Sequence, residues 1–386
     1  QVGSVTRRPY AITVIVLAFI LFGGASYVRT GLEVGDLDTG APELRPDSRY
    51  NKDNDYIINH YSTSSDMLVV MVETPTDQCA DYETLANSDR LQWQLQNTPG
   101  VQSSYSMADF SKNYLSGMSE GSLKWMVVTR DNSFLEYSSV VATREGVVNT
   151  VCSFFPIKVY LKDHKADTLK TVVAVVEKFA REVNTDDVRF LLAAGNSGIE
   201  AATNIEVERA HKLITLVVYA VVVLVCLLTF RSWRAAVCIV LPLYITSVLC
   251  EALMTWLGIG IKVATLPVIA VGVGIGIDYG IYIYNKLKYY LDQGWNIHDA
   301  YGEALKTTGR AVGFTGLTLG VGVATWVFSP IKFQADMGIL LTFMFVWNMV
   351  GALLVLPALA RFLVKPEKVV EPETGSGHCR PVNGNF

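Results

Sequence analysis

The sequence predicts a membrane α-helical bundle of six spans, arranged one plus five, with an α+β, ferredoxin-like external domain hung between the first span and the rest. Three observations carry this fold class. Apolar runs long enough to cross roughly 30 Å of hydrocarbon occur at residues 10–28, 211–230, 235–256, 263–285, 309–328 and 337–363. The stretch between the first two, residues 29–210, is polar and acidic, with 27 acidic and 17 basic side chains and a net charge of −10. Within that stretch, strand-like and helix-like apolar periodicities follow one another as strand, helix, strand, twice over. A chain that is 51% hydrophobic already leans away from an ordinary soluble enzyme.

The first run follows Arg7 and Arg8, the basic start that a signal peptide also shows. It is too long for a typical signal core and no clear small-residue cleavage site ends it, so it reads as a membrane helix. Residue 1 is Gln, and the chain is expected to be cut from something longer.

In the acidic domain, the first unit is a strand at residues 67–73, a helix near 82–96 and a short strand at 101–105. The second is a strand at 153–161 whose start Pro156 breaks, a helix at 166–183 and a strand at 188–194. Two βαβ units in series give a split, ferredoxin-like sheet, a frame that hosts many activities. Residues 107–150 separate the units and carry Tyr114, Trp125, Phe134 and Tyr137, which either line an apolar channel or, more simply, pack the insertion.

The domain also holds Cys79 and Cys152, expected to form a disulfide if it lies in an oxidising compartment. Cys226, Cys238 and Cys250 fall in membrane helices, where a thiol is a small apolar filler, and Cys379 falls in the tail. No metal-spaced His/Cys set, nucleophile elbow or phosphate loop is present, and His60, His164 and His211 are too scattered to argue a ligand shell. Nothing in the sequence supports an enzyme, a cofactor, a metal or a nucleic-acid partner.

Charge sets the orientation. Arg7, Arg8, Arg231, Arg234, Lys286, Lys288, Lys306, Arg310, Arg361, Lys365 and Lys368 fall on one side of the spans, and only Lys262 and Lys332 sit in the short loops opposite. Under the positive-inside rule both termini are cytoplasmic and residues 29–210 are external, or periplasmic, in a protein of the inner (plasma) membrane.

The fourth span places Asp278 inside the hydrocarbon, where a charged Asp costs at least ~2.5–3.5 kcal/mol and reads as functional by default. Gly272, Gly276 and Gly280 form one ladder at i, i+4 spacing, and Ala270, Gly274 and Asp278 form a second. Small residues so spaced let a neighbouring backbone come close. The fifth span offers Gly309, Gly313, Gly316 and Gly320 as a partner surface, with Thr315, Thr318 and Thr325 available to bond between helices. On this reading Asp278 sits in a tightly packed bundle interior. Desolvation favours the neutral carboxylic acid, which suits a group that loads and releases protons. Adjacent residues on a helix point about 100° apart, so Tyr279 is expected to address a different helix from Asp278.

One helix, a large βαβ-type domain, five more helices and a Gly-x-x-x-Asp-Tyr motif from Gly274 to Tyr279 together resemble one half of a transporter of the resistance-nodulation-division (RND) superfamily. The nearest branch is the MMPL-type lipid exporters, whose membrane core Patched, Dispatched and Niemann-Pick proteins share. The segment GDLDTGAPELRPDSRYN, residues 35–51, resembles predicted exporters of Gram-negative bacteria in this superfamily. The resemblance implies a division into residues 1–28 (cytoplasmic start and first helix), 29–210 (periplasmic porter-like domain), 211–365 (five-helix block like a sterol-sensing domain) and 366–386 (cytoplasmic polar tail). It implies proton-driven efflux of lipids or other hydrophobic molecules, with Asp278 and Tyr279 as this half's share of a proton relay. A homologous half is then the expected partner, beside membrane lipid and the hydrophobic substrate; a homo-oligomer or a periplasmic partner stays open. Two other readings also stay open: a sterol- or lipid-sensing receptor on the same core, and an accessory factor of protein export.

Overall fold

The computed structural model describes residues 5–364. The polar tail, with Cys379, Lys365 and Lys368, lies outside the described residues.

Helix α1 (Arg8–Val28) opens the chain, with Pro9 in its first turn, where the missing N–H costs nothing. A strap of irregular chain follows, then α2 (Arg49–His60), which the Ser48 hydroxyl caps by accepting from the Asn51 N–H. The sheet domain runs β1 (Met67–Glu73), α3 (Tyr82–Gln96), β2 (Val101–Tyr105), α4 (Met107–Met118), α5 (Asn132–Arg144), β3 (Phe154–Leu161), α6 (Ala166–Val183) and β4 (Arg189–Ala194). The strand order is β2-β3-β1-β4 and every neighbouring pair is antiparallel. Thus β1 and β2 run in the same direction with β3 inserted between them. Apolar side chains of β1, β3, α3 and α6 meet in one core that includes Leu68, Val70, Leu91, Phe155, Ile157 and Phe179.

The four strands and the helices α3 and α6 fall within a residue or so of their expected bounds. The insertion differs from a featureless stretch: α4 carries a capping box, Ser106 with Asp109. Tyr114 of α4 lies 6.1 Å from the rings of both Phe134 and Tyr137 of α5. These aromatics pack the insertion against itself, while Trp125 lies on its surface.

After β4 the chain turns at Gly195 with φ +82°, and an added Cβ there would come 2.3 Å from the Met67 carbonyl oxygen. The turn feeds directly into α7 (Asn196–Phe230), followed by α8 (Trp233–Leu257) and α9 (Leu266–Asp292). The fifth long helix is α10 (Ile297–Ala304), one π turn (Leu305–Gly309), α11 (Arg310–Ala324) and a 3-10 turn (Thr325–Phe328). The sixth is α12 (Lys332–Val350), a second π turn (Gly351–Val355) and α13 (Leu356–Leu363). Together with α1 these make six helices long and apolar enough to cross a membrane. Helix α7, at 35 residues, is about 50 Å long, so its polar head over residues 196–210 stands beyond the hydrocarbon beside the sheet.

The strap after α1 lies across the sheet-side ends of the bundle. Val34 bridges Ile261 in parallel and Leu44 bridges Ile331 antiparallel. Gly260 lies so close to the strap that an added Cβ would come 2.1 Å from the Gly35 carbonyl oxygen. The two basic residues that break the charge pattern are engaged here. Lys262 Nζ sits 2.8 Å from Asp36, and Lys332 Nζ contacts Asp38 and lies 3.4 Å from Asp336.

Candidate functional site

The glycines of α9 divide the helix into a packed side and an open side. Gly272 faces Met344, Gly276 faces Asn348 and Leu243, and Gly280 faces Ile239; a Cβ at Gly276 would come 2.4 Å from the Asn348 amide nitrogen. This stripe therefore seats α9 on α8 and α12. The second ladder, Gly274 and Asp278, is exposed, and nothing lies within 4 Å of where a Gly274 Cβ would be. The expectation of a tightly packed interior around Asp278 is corrected accordingly.

The physical reason is the partner of α11. Its Gly316 and Gly320 face Met349 and Val346 of α12, not α9; Gly313 faces open space, and Gly309 meets its own Leu305. Thr318 and Thr325 likewise bond back to the Phe314 and Gly322 carbonyls of their own helix instead of bridging to α9. Both α9 and α11 lean on α12, which leaves a groove between them.

That groove has a volume of about 770 Å³. Asp278, Tyr282 and Lys286 of α9 line it, four residues apart and so on one stripe. Thr307 and Thr308 of the π turn and Thr315 of α11 line the opposite wall. A π turn is a common mark of a functional site. The Lys286 ammonium stands 4.8 and 5.1 Å from the ring centroids of Tyr289 and Tyr290. Around these polar groups the groove is apolar, lined by Ile275, Ala311, Val312 and Leu319; elsewhere on α11, Phe314, Leu317 and Val321 are exposed. Tyr279 also lines the groove but is buried: it is 3% exposed, and its hydroxyl has no hydrogen-bond partner among the described residues.

Several polar residues escaped the sequence reading. Asn348, buried in the last span, donates from Nδ2 to the Gly272 carbonyl at 2.8 Å. Glu251 lies within the third span and is buried, with Arg29 Nη1 at 2.9 Å and His211 Nε2 at 3.3 Å. The signal that flags Asp278, an acid inside an apolar run, is present at Glu251 too. This trio heads a second cavity, about 660 Å³, between the chain just after α1 and the facing portions of α7 and α8. Its walls are largely apolar, including Leu216, Tyr244 and Val248, with the Tyr219 hydroxyl 2.6 Å from Ser247 Oγ.

Cys79 and Cys152 are joined as a disulfide with their Cα atoms 5.0 Å apart, well away from the groove, while Cys226, Cys238 and Cys250 are buried and free. Among the described residues no group of three or more His, Cys, Asp or Glu could hold a metal ion.

In comparison with known proteins, the model of the MMPL family matches residues 46–376. No curated protein matches the chain.

Proposed function

The chain belongs to the MMPL family, RND-type transporters of hydrophobic molecules, and on that premise we propose that it is one half of a proton-driven exporter with its proton relay at Asp278. One observation carries this reading. Asp278 is exposed and lines a groove whose walls also carry the apolar Ile275, Val312 and Leu319. Left against lipid, a charged carboxylate there costs at least ~2.5–3.5 kcal/mol, so the face calls for cover by protein. A homologous half with its own acid and hydroxyls would provide it. The cover would dry the groove and bring a second polar set against Asp278, Lys286 and the threonines. A proton crossing the membrane potential is worth ~2.3 kcal/mol per 100 mV, enough to bias two packings of α9 against its neighbours.

Tyr279, buried beside Asp278 at the same groove, then supplies the relay's hydroxyl. The hydrophobic substrate gains access through the Arg29–Glu251–His211 cavity, whose volume of about 660 Å³ suits an amphiphilic molecule. The sheet, ferredoxin-like in its two βαβ units, passes the substrate outward from the periplasmic side of the inner membrane. The basic residues at the opposite end of the bundle favour a cytoplasmic location for that end.

The test is Asp278→Asn in the full-length protein, reconstituted in vesicles with an imposed proton gradient. Gradient-driven export should be abolished while the thermal unfolding profile stays unchanged. Export at the wild-type rate would remove Asp278 from the relay. The same cavity is the observation that favours a lipid-sensing receptor: a hydrophobic ligand bound equally well by wild type and Asp278→Asn, with no gradient-driven movement in either, would select that reading.

A further inference from the structure

The head of α7 meets the sheet domain over a buried set of ionisable groups that the transport reading does not use. Asp66 stands just before β1 and His164 in the connection from β3 to α6; each is 2% exposed, and the His164 Nδ1 to Asp66 Oδ1 distance is 3.0 Å. Glu200, on the extramembrane head of α7, lies within electrostatic reach of both. The strap adds Asp36, neutralised by Lys262, and Glu43. Asn204 of α7 touches the strap at Gly35, where an added Cβ would come 2.6 Å from Asn204 Nδ2.

The hydrogen bonding at this joint is incomplete. His164 Nε2, Asp66 Oδ2, Glu200 Oε1, Ser197 Oγ and Asn204 Nδ2 are all buried without a hydrogen-bond partner among the described residues. Buried polar atoms are normally satisfied, so five unsatisfied atoms where three elements converge mark a place that takes a ligand. Among the described residues the set lacks the geometry of a metal site. The smallest ligand that satisfies carboxylate and imidazole atoms in so tight a space is a proton, with the water that enters when the joint opens.

We propose that His164, Asp66 and Glu200 form a proton-binding site outside the membrane-spanning segments, and that it holds more protons when the joint between the sheet and α7 is closed than when it is open. In the closed joint, His164 is an imidazolium beside the Asp66 carboxylate and Glu200 is a neutral acid. Ionising Glu200 would add a negative charge to a set whose cations, His164 and Lys262, already face Asp66 and Asp36. Opening the joint lets water solvate that charge.

The electrostatics agree. Burial pulls the His164 imidazole down, but the hydrogen bond to Asp66 and the charges of Glu200, Asp66 and Asp36 outweigh it and push it up from 6.5 to about 9. Burial raises the Glu200 carboxyl from 4.5 to about 7; His164 opposes the rise, and Asp36, Asp66 and Glu43 add to it. Both groups bind protons more tightly in the closed, folded state. Their contribution to stability is therefore fully present at acid pH and is lost as pH rises, first through about 7 for Glu200 and then through about 9 for His164.

The experiment is hydrogen–deuterium exchange of the amides at residues 196–206 at pH 5.5 and 8.5, corrected for intrinsic rates, in the intact chain and in Glu200→Gln. In the wild type, protection should fall at least tenfold between the two pH values. In Glu200→Gln the fall should be smaller, leaving only the part that His164 contributes. A wild-type profile independent of pH, or an unchanged step in Glu200→Gln, would overturn the proposal. If that variant does not fold, histidine Cε1–H resonances of the wild type decide the matter. One imidazole must remain protonated at pH 8, and a spectrum in which all are neutral refutes the site.

Discussion

At the scale of single residues, glycine governs what α9 can touch. The same helix carries glycines that nothing approaches and glycines on which a neighbour rests, and the sequence spacing treats both ladders alike. Gly276→Ala would force a methyl group to within 2.4 Å of the Asn348 amide and 2.7 Å of Leu243 Cδ2, an overpacking that costs about 1–3 kcal/mol. Gly274→Ala meets nothing within 4 Å and gains helix propensity. Thermal unfolding of the two variants in the same detergent should show a clear loss for the first and no loss for the second; equal losses would contradict the assignment of packed and open faces. Asp278 illustrates the same limit on sequence reading. Its intramembrane position was legible from the apolar run around it, but its exposure was not, because exposure depends on which neighbour α11 chooses.

At the scale of elements, the sheet domain was readable almost strand by strand, since period-2 and period-3.6 patterns are local properties of the chain. Helices α2, α4 and α5 were not read, although the polar capping residues that start them, Ser48, Ser106 and Asp131, stand in the sequence. The cysteine pair ties the connection before α3 to the turn before β3, closing a loop of 73 residues. A loop of that size stabilises by about 4 kcal/mol in the chain-entropy account. Reduction of the purified protein should therefore lower the unfolding temperature of the sheet domain, and thiol labelling without reductant should leave Cys79 and Cys152 unmodified. Labelling of both under those conditions would contradict the bond. The π turns were likewise out of reach of the sequence, since a helix that gains one residue per turn keeps its apolar character throughout.

At the scale of the whole molecule, the strap over residues 32–46 laces the sheet domain to both sheet-side connections of the bundle. Its two lysine pairs explain why Lys262 and Lys332 stand apart from the other basic residues of the short loops. A shift of α9 or α12 would thus be felt by the strap and, through Gly35 and Asn204, by the head of α7. The open α9–α11 face makes the remaining prediction. Cysteine placed at Gly274 or Ala311, both exposed, in the full-length protein in its native membrane should cross-link rapidly to a cysteine on the covering half, whereas one at Trp256, also exposed but off that face, should not. Equal cross-linking from all positions, or none from any, would refute the docking face.

The sequence by itself determined the six spans, the acidic domain between the first two, the strands of its sheet and the intramembrane Asp278, because each is written in local hydropathy, periodicity or charge. Only the tertiary structure decided which stripe of α9 is packed, that α11 leans on α12, that Glu251 joins Arg29 and His211, and that His164 meets Asp66 beneath the head of α7. Those pairings join residues from about 25 to more than 200 positions apart. What brings them together is the close packing of whole helices and strands, a property that no window of the chain contains.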